Sequence, residues 1–122
     1  MASAPASRVY RLMLKALDNL PALYADRLDN VEFIIRRHPF REQRKHLRGG
    51  VLYGLYEGIA LTHRTSGYGE VTPDRITLFW GTLVRDFPDD GRLEQEVRNT
   101  VYHEIAHYFG LDEDDLTGTR VK

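Results

Sequence analysis

The chain is predicted to be an α+β protein in which a small sheet packs on two main helices. Apolar residues recur at helical spacing near both ends of the chain, and three stretches between them are rich in β-branched and aromatic residues. With 122 residues the chain has the size of one domain and can bury a core. We therefore expect a disordered leader over residues 1–6 and a single domain over residues 7–122.

The N-terminal part of the chain is expected to contribute a helix and the first strand. Over residues 7–20 apolar side chains recur every three or four positions, and Pro21 then begins a turn or a second short helical piece. The segment VEFIIRR, residues 31–37, is predicted to be a largely buried strand that ends before Pro39. The polar and basic residues 41–50 close on two glycines and are predicted to form a loop.

Two further strands are expected in the middle of the chain. The run VLYGLYEGIALT, residues 51–62, is interrupted by Gly54 and Gly58, which predicts a strand with a bulge or bend. Residues 64–74 hold glycines, a proline and small polar residues, and are predicted to be mostly loop. The segment RITLFWGTLV, residues 75–84, alternates like a strand. Its first part, or the strand before it, could pair an extended peptide by β-augmentation.

The last helix has the clearest predicted boundaries. The turn FPDDG offers Asp89 or Asp90 as an N-cap, and the helix is expected over residues 92–109. Gly110 stands where a left-handed glycine ends many helices. When the residues of this helix are placed at about 100° steps around its axis, the apolar residues occupy one side and a set of polar residues, here called the polar arc, occupies another. We therefore expect this helix to form one wall of a cleft. The polar arc contains Glu96, Thr100, His103 and His107, with Glu104 at its border.

The composition excludes several classes of function. The net charge is −1, and the one basic cluster, over residues 36–48, is interpreted as a solvated surface with a partner site as the alternative. No apolar stretch approaches the roughly 20 residues of a membrane span, and Arg8, Arg11 and Lys15 interrupt the N-terminal apolar positions, unlike a signal peptide. The absence of cysteine excludes disulfides and thiolate ligands. We expect a cytoplasmic protein that binds neither nucleic acid nor a membrane.

The sequence HEIAH, residues 103–107, is typical of a metal site. His103 and His107 are four residues apart, so on a helix their imidazoles lie on one face and can bind one cation. In H-E-x-x-H sites the cation is zinc, and Glu104 is placed to act as general base on a water molecule. The alternative is a pair of polar histidines on an exposed helix. The position of the motif on a capped, amphipathic helix disfavours that alternative.

Two further parts of the site are expected outside the helix. Catalytic zinc commonly takes three protein ligands, and Gly110 lets the chain turn back toward the metal. In proteins with the longer pattern H-E-x-x-H-x-x-G-x-x-H the third ligand is the third residue after the glycine, here Glu113. Asp112 is the second choice, and a solvated acidic turn without a ligand is the remaining alternative. Tyr68 could donate to a developing oxyanion, although a turn aromatic that covers the core is the favoured interpretation.

Two blocks of this sequence resemble a known family. The resemblance is to the minimal zincin-like metallopeptidases, which are short bacterial proteins. Their middle block is similar to GLYEGIALTHRTSGYGEVTPDRITLF, and their terminal block is similar to EVRNTVYHEIAHYFGLDEDDL. The resemblance covers about residues 10–116. It implies a zincin-like α+β fold with a small mixed sheet of about three strands on two main helices. By motif position it also implies His103 and His107 as ligands and Glu104 as base, whereas Glu113 stands where the family often has aspartate.

Two functions are compatible with these features. The first is a zinc-dependent metallopeptidase that acts on a peptide or protein substrate. The second is a zinc-poor or inactive zincin-like scaffold that acts as a binding module or homodimer. The sequence has no methionine after the helix that could form a supporting turn beneath the metal, and this absence favours the second function. Its interface could use strand edges and the aromatic residues Tyr53, Tyr56, Phe79 and Trp80. A metal site that serves only structure is disfavoured because Glu104 has no role in it.

Overall fold

The computed structural model describes residues 4–45, 50–58 and 73–111. Their elements are, in chain order, α1 (Ala4–Asp18), α2 (Ala22–Ala25), β1 (Val31–Arg36), α3 (Arg41–Arg44), β2 (Gly54–Glu57), β3 (Asp74–Phe79), α4 (Trp80–Asp86) and α5 (Asp90–Phe109). The α+β class is confirmed, and the two longest helices, α1 and α5, enclose the three described strands in the predicted order. None of the helices in these ranges is long and apolar enough to cross a membrane.

The described strands form a mixed sheet in the order β1–β3–β2. β1 pairs with β3 in parallel, with Val31 opposite Asp74, and β2 pairs with β3 in antiparallel fashion, with Gly54 opposite Leu78. β1 is half-buried instead of largely buried, because it lies at an edge of the described sheet. The small mixed sheet that the resemblance implied is therefore present.

The central strand, β3, is buried on both faces. Its last four residues, Ile76, Thr77, Leu78 and Phe79, have no exposed surface. The expected alternation between inside and outside is therefore wrong, and Phe79 cannot contribute to an aromatic interface. Since both edges of β3 are paired, it cannot accept an added peptide strand either. Of the two strands considered for that pairing, only β2 lies at an edge of the described sheet.

Short helices replace a predicted loop and the end of a predicted strand. In α3, the Phe40 backbone N–H donates to Gln43 Oε1 at 2.8 Å, which stabilises a helical turn in the basic segment. The third strand was expected to continue to residue 84, but α4 begins at Trp80. The spacing of Trp80, Leu83 and Val84 also fits a helix, and all three side chains pack on the core in that form.

Helices α1 and α5 pack on each other, and the core lies between them and the sheet. Met13 of α1 and Ile105 of α5 are both fully buried in this core. α1 begins at Ala4, three residues earlier than expected, and Ala6 is buried. Residues 4–6 of the expected leader therefore form the first turn of the helix, because Ala6 has apolar surface to cover.

Candidate metal centre

Local signals define both ends of α5. The side chain of Asp89 accepts a hydrogen bond from the Arg92 backbone N–H at 3.0 Å, which caps the N-terminus. At the other end Gly110 is left-handed, with φ 73° and ψ 24°, and its N–H donates to the His107 carbonyl at 3.0 Å. The predicted N-cap and terminal glycine are confirmed, and the helix begins at Asp90, slightly earlier than expected.

The polar arc of α5 is buried except at its C-terminal end. Glu96, Thr100, His103 and Glu104 are between 2% and 8% exposed, whereas the His107 side chain is 42% exposed. β2 contributes to this burial, because it packs on α5 with Gly54 next to Thr100 and Glu104. Within the described residues, the expected cleft wall is therefore most open to solvent around His107.

Three potential ligand side chains converge at this end of the arc. The ring centroids of His103 and His107 lie 4.6 Å apart, with the ring planes inclined at 65°. Glu104 Oε1 lies 3.1 Å from Nδ1 of His107. One ligand atom from each of the three residues lies within 4.8 Å of the others. The helix thus brings together the three residues of the HEIAH motif on which a metal site was predicted.

A comparison of the whole sequence identifies the family. A model of the zincin-like metallopeptidase family matches residues 28–120, which is most of the chain. The chain belongs to the zincin-like metallopeptidase family. The matched range contains all three described strands and the whole of α5, so the resemblance carried by the two sequence blocks is confirmed. No curated protein matches the chain at a significant level.

The donor set of this zincin-like chain is compatible with a metal ion. Zinc binds nitrogen at roughly 2.0–2.1 Å, so two nitrogen ligands of one ion lie about 4.2 Å apart or less. The three ligand atoms of His103, Glu104 and His107 span at most 4.8 Å. The ligand atoms of the two histidines are therefore at most about 0.6 Å further apart than two nitrogen ligands of one ion.

The other predicted site residues, Glu113, Asp112 and Tyr68, lie outside the described residues. Their roles as ligand, alternative ligand and oxyanion donor stay predictions. The last described residue is Leu111, whose N–H donates to the Ala106 carbonyl at 2.9 Å.

Gly54 is a neighbour of the site that the sequence analysis did not assign to it. It was expected to mark a bulge or bend, but β2 pairs with β3 without interruption from Gly54 to Glu57. The chain leaves the strand at Gly58, where φ is 154°. A Cβ on Gly54 would lie 2.6 Å from Thr100 Cγ2 and 3.3 Å from Glu104 Cγ. The available signal was a glycine inside a strand, which can also mark a close approach to another segment.

Proposed function

We propose that this chain is a zinc-dependent peptidase. One observation carries the proposal: the side chains of His103, Glu104 and His107 converge near the C-terminal end of α5, where His107 is open to solvent, in a chain of the zincin-like family. In H-E-x-x-H proteases two such histidines hold zinc while the glutamate serves as general base. The proposed substrate is accordingly a peptide or a protein.

His103 and His107 are the proposed histidine ligands, and Glu113 is the proposed third ligand. The left-handed conformation of Gly110 supports this choice, because it turns the chain sharply at the end of the helix. Glu113 is the third residue after that glycine, the spacing at which the longer zincin pattern has its last ligand. Asp112 is the second choice for the same position.

Glu104 is the proposed general base. Zinc bound at this centre supplies Lewis-acid activation of a peptide carbonyl and of water. Glu104 is only 4% exposed, and its Oε1 lies 3.1 Å from Nδ1 of His107. The carboxylate is therefore held inside the site and shielded from bulk water. From there it accepts a proton as water attacks the carbonyl, and donates that proton to the leaving amine.

The substrate is proposed to lie along β2 as an extended strand. β2 is at an edge of the described sheet, and it packs on α5 next to Glu104. A peptide paired with this strand would obtain main-chain hydrogen bonds while its backbone passes close to the proposed base.

Cleavage of a peptide library by the zinc-loaded full-length chain tests this function. The wild type should cleave peptides, and a chelator should abolish the activity. Glu104→Gln should lower kcat by about 10²–10⁴-fold while zinc stays bound, because general base catalysis contributes that much. Glu94→Gln, at a partly exposed position of the same helix that pairs with Lys15 of α1 instead of facing the site, is the matched control and should retain activity. Zinc-loaded wild type that cleaves no peptide would contradict the proposal and favour the non-enzymatic scaffold.

A further inference from the structure

Gly54 lies at a close approach between β2 and the helix that carries the site, α5. If the glycine carried a Cβ, that atom would be 2.6 Å from Thr100 Cγ2, a separation that side chains essentially never adopt. It would also be 3.3 Å from Glu104 Cγ and 3.3 Å from the Thr77 carbonyl oxygen of β3. The space that a side chain at Gly54 would need is therefore filled by atoms of the helix and of the central strand.

If Thr100 or Glu104 moved away from Gly54, each side chain would lose another contact that it makes. Thr100 is 8% exposed, and its hydroxyl donates to the Glu96 carbonyl at 2.7 Å, which fixes the direction of its methyl group. Glu104 is 4% exposed, and its carboxylate lies against Nδ1 of His107 at 3.1 Å. Because Cγ joins this carboxylate to the rest of the side chain, a displacement of Cγ moves the carboxylate.

We propose that Gly54 is a positioning residue for Glu104. Its bare α-carbon lets β2 lie against the turn of α5 between Thr100 and Glu104, and this contact limits where the Glu104 carboxylate can lie. The inference rests on the proposed function, since the position of Glu104 matters most if that residue is the base. It adds a second constraint on the side chain, besides the contact with His107.

Four full-length variants separate positioning from simple packing. Gly54→Ala introduces both close contacts, and Thr100→Ser removes the methyl group at 2.6 Å while its hydroxyl can still bond to the Glu96 carbonyl. The double variant therefore keeps only the 3.3 Å contact with Glu104 and the one with the β3 carbonyl. Gly50→Ala is the matched control, because a Cβ there would meet no described atom within 4 Å.

The Tm of the variants should depend on the contact between residue 54 and the Thr100 methyl group. Gly54→Ala should lower Tm by about 5–10 °C, the usual effect of overpacking a filled interior. The double variant should recover to within a few degrees of Thr100→Ser. Gly50→Ala should leave Tm unchanged. A double variant as unstable as Gly54→Ala would overturn the assigned contact. If Gly54→Ala does not fold but the double variant does, the contact is supported and the remaining comparison is made on the double variant.

In contrast, kcat should depend on the contact between residue 54 and Glu104. In the zinc-loaded double variant kcat should stay about tenfold below that of Thr100→Ser, with KM and zinc stoichiometry unchanged, because small misplacements of reacting groups are costly. A crystal structure of the double variant should show Glu104 Oε1 more than 3.5 Å from Nδ1 of His107. If kcat recovers fully together with Tm, Gly54 is a packing residue only and the inference is overturned.

The crystal structure also separates this inference from the proposed function. If wild type cleaves no peptide, the proposed function fails, yet a displaced Glu104 carboxylate in the double variant still supports positioning. If the carboxylate keeps its 3.1 Å contact with His107 in that variant, the inference fails whether or not the wild type is an enzyme.

Discussion

Gly110→Ala tests whether the left-handed end of α5 directs the chain toward the metal. Gly110 has φ 73°, and a residue with a Cβ loses about 1–2 kcal/mol in this conformation. Asp89→Ala is a matched change at the other end of the same helix. It removes the 3.0 Å hydrogen bond to the Arg92 N–H, which costs about 1 kcal/mol. The two variants should therefore lose comparable stability.

Only the first variant should weaken metal binding. Asp89 lies about 21 Å along the helix from His103, whereas Gly110 is one helical turn beyond His107. Gly110→Ala should weaken zinc binding by about tenfold or more, because a ligand held out of place costs affinity of that order. Urea unfolding measures the stabilities, and competition with a chromophoric chelator measures the zinc affinities. If both variants bind zinc as tightly as wild type, the reasoning that connects Gly110 to Glu113 is refuted.

Two further predictions concern residues outside the site. Asp86→Asn should cost about 0.5–1 kcal/mol at pH 7, because the Asp86 carboxylate is bonded to Arg85 and accepts from the Tyr53 hydroxyl at 2.7 Å. These bonds hold the pKa of Asp86 below its ordinary value, so the stabilisation is present near neutral pH and is lost as the pH falls below about 4. Urea unfolding at several pH values should show the difference shrinking on acidification, and a constant difference would contradict this cause. Tyr108→Phe should lose about 0.5–1.5 kcal/mol in the same assay at pH 7, because the hydroxyl accepts from the Asp29 N–H at 3.2 Å and donates to its carbonyl at 3.3 Å. Unchanged stability would show that these two bonds contribute nothing.

The elements that sequence analysis predicted best are those defined by neighbouring residues. α5 has a capping aspartate, an apolar period and a terminal glycine, all within one segment, and its limits are nearly as expected. β3 was extended too far because WGTLV fits both a strand and a helix by spacing alone. Whether this segment forms a strand or a helix depends on how Trp80, Leu83 and Val84 pack against the core. The local sequence does not contain that information.

The same distinction applies to the candidate site. Two histidines and a glutamate within five residues lie together because one helix carries them, so their convergence could be predicted. The burial of Thr100 and Glu104 against β2 could not, since it depends on a strand that lies far away in sequence. For the same reason Gly54 was interpreted as a bend, while its contact with Glu104 became evident only in three dimensions.

Metal content is the measurement that tests the central claim most directly. Full-length wild type, Glu104→Gln and His107→Ala are purified without chelator, loaded with zinc and analysed for bound metal. A centre in which His107 is a ligand and Glu104 is the base predicts one zinc per chain in wild type and in Glu104→Gln, and loss of zinc in His107→Ala. Wild type that cannot be loaded with zinc, or His107→Ala that retains it in full, would contradict the account.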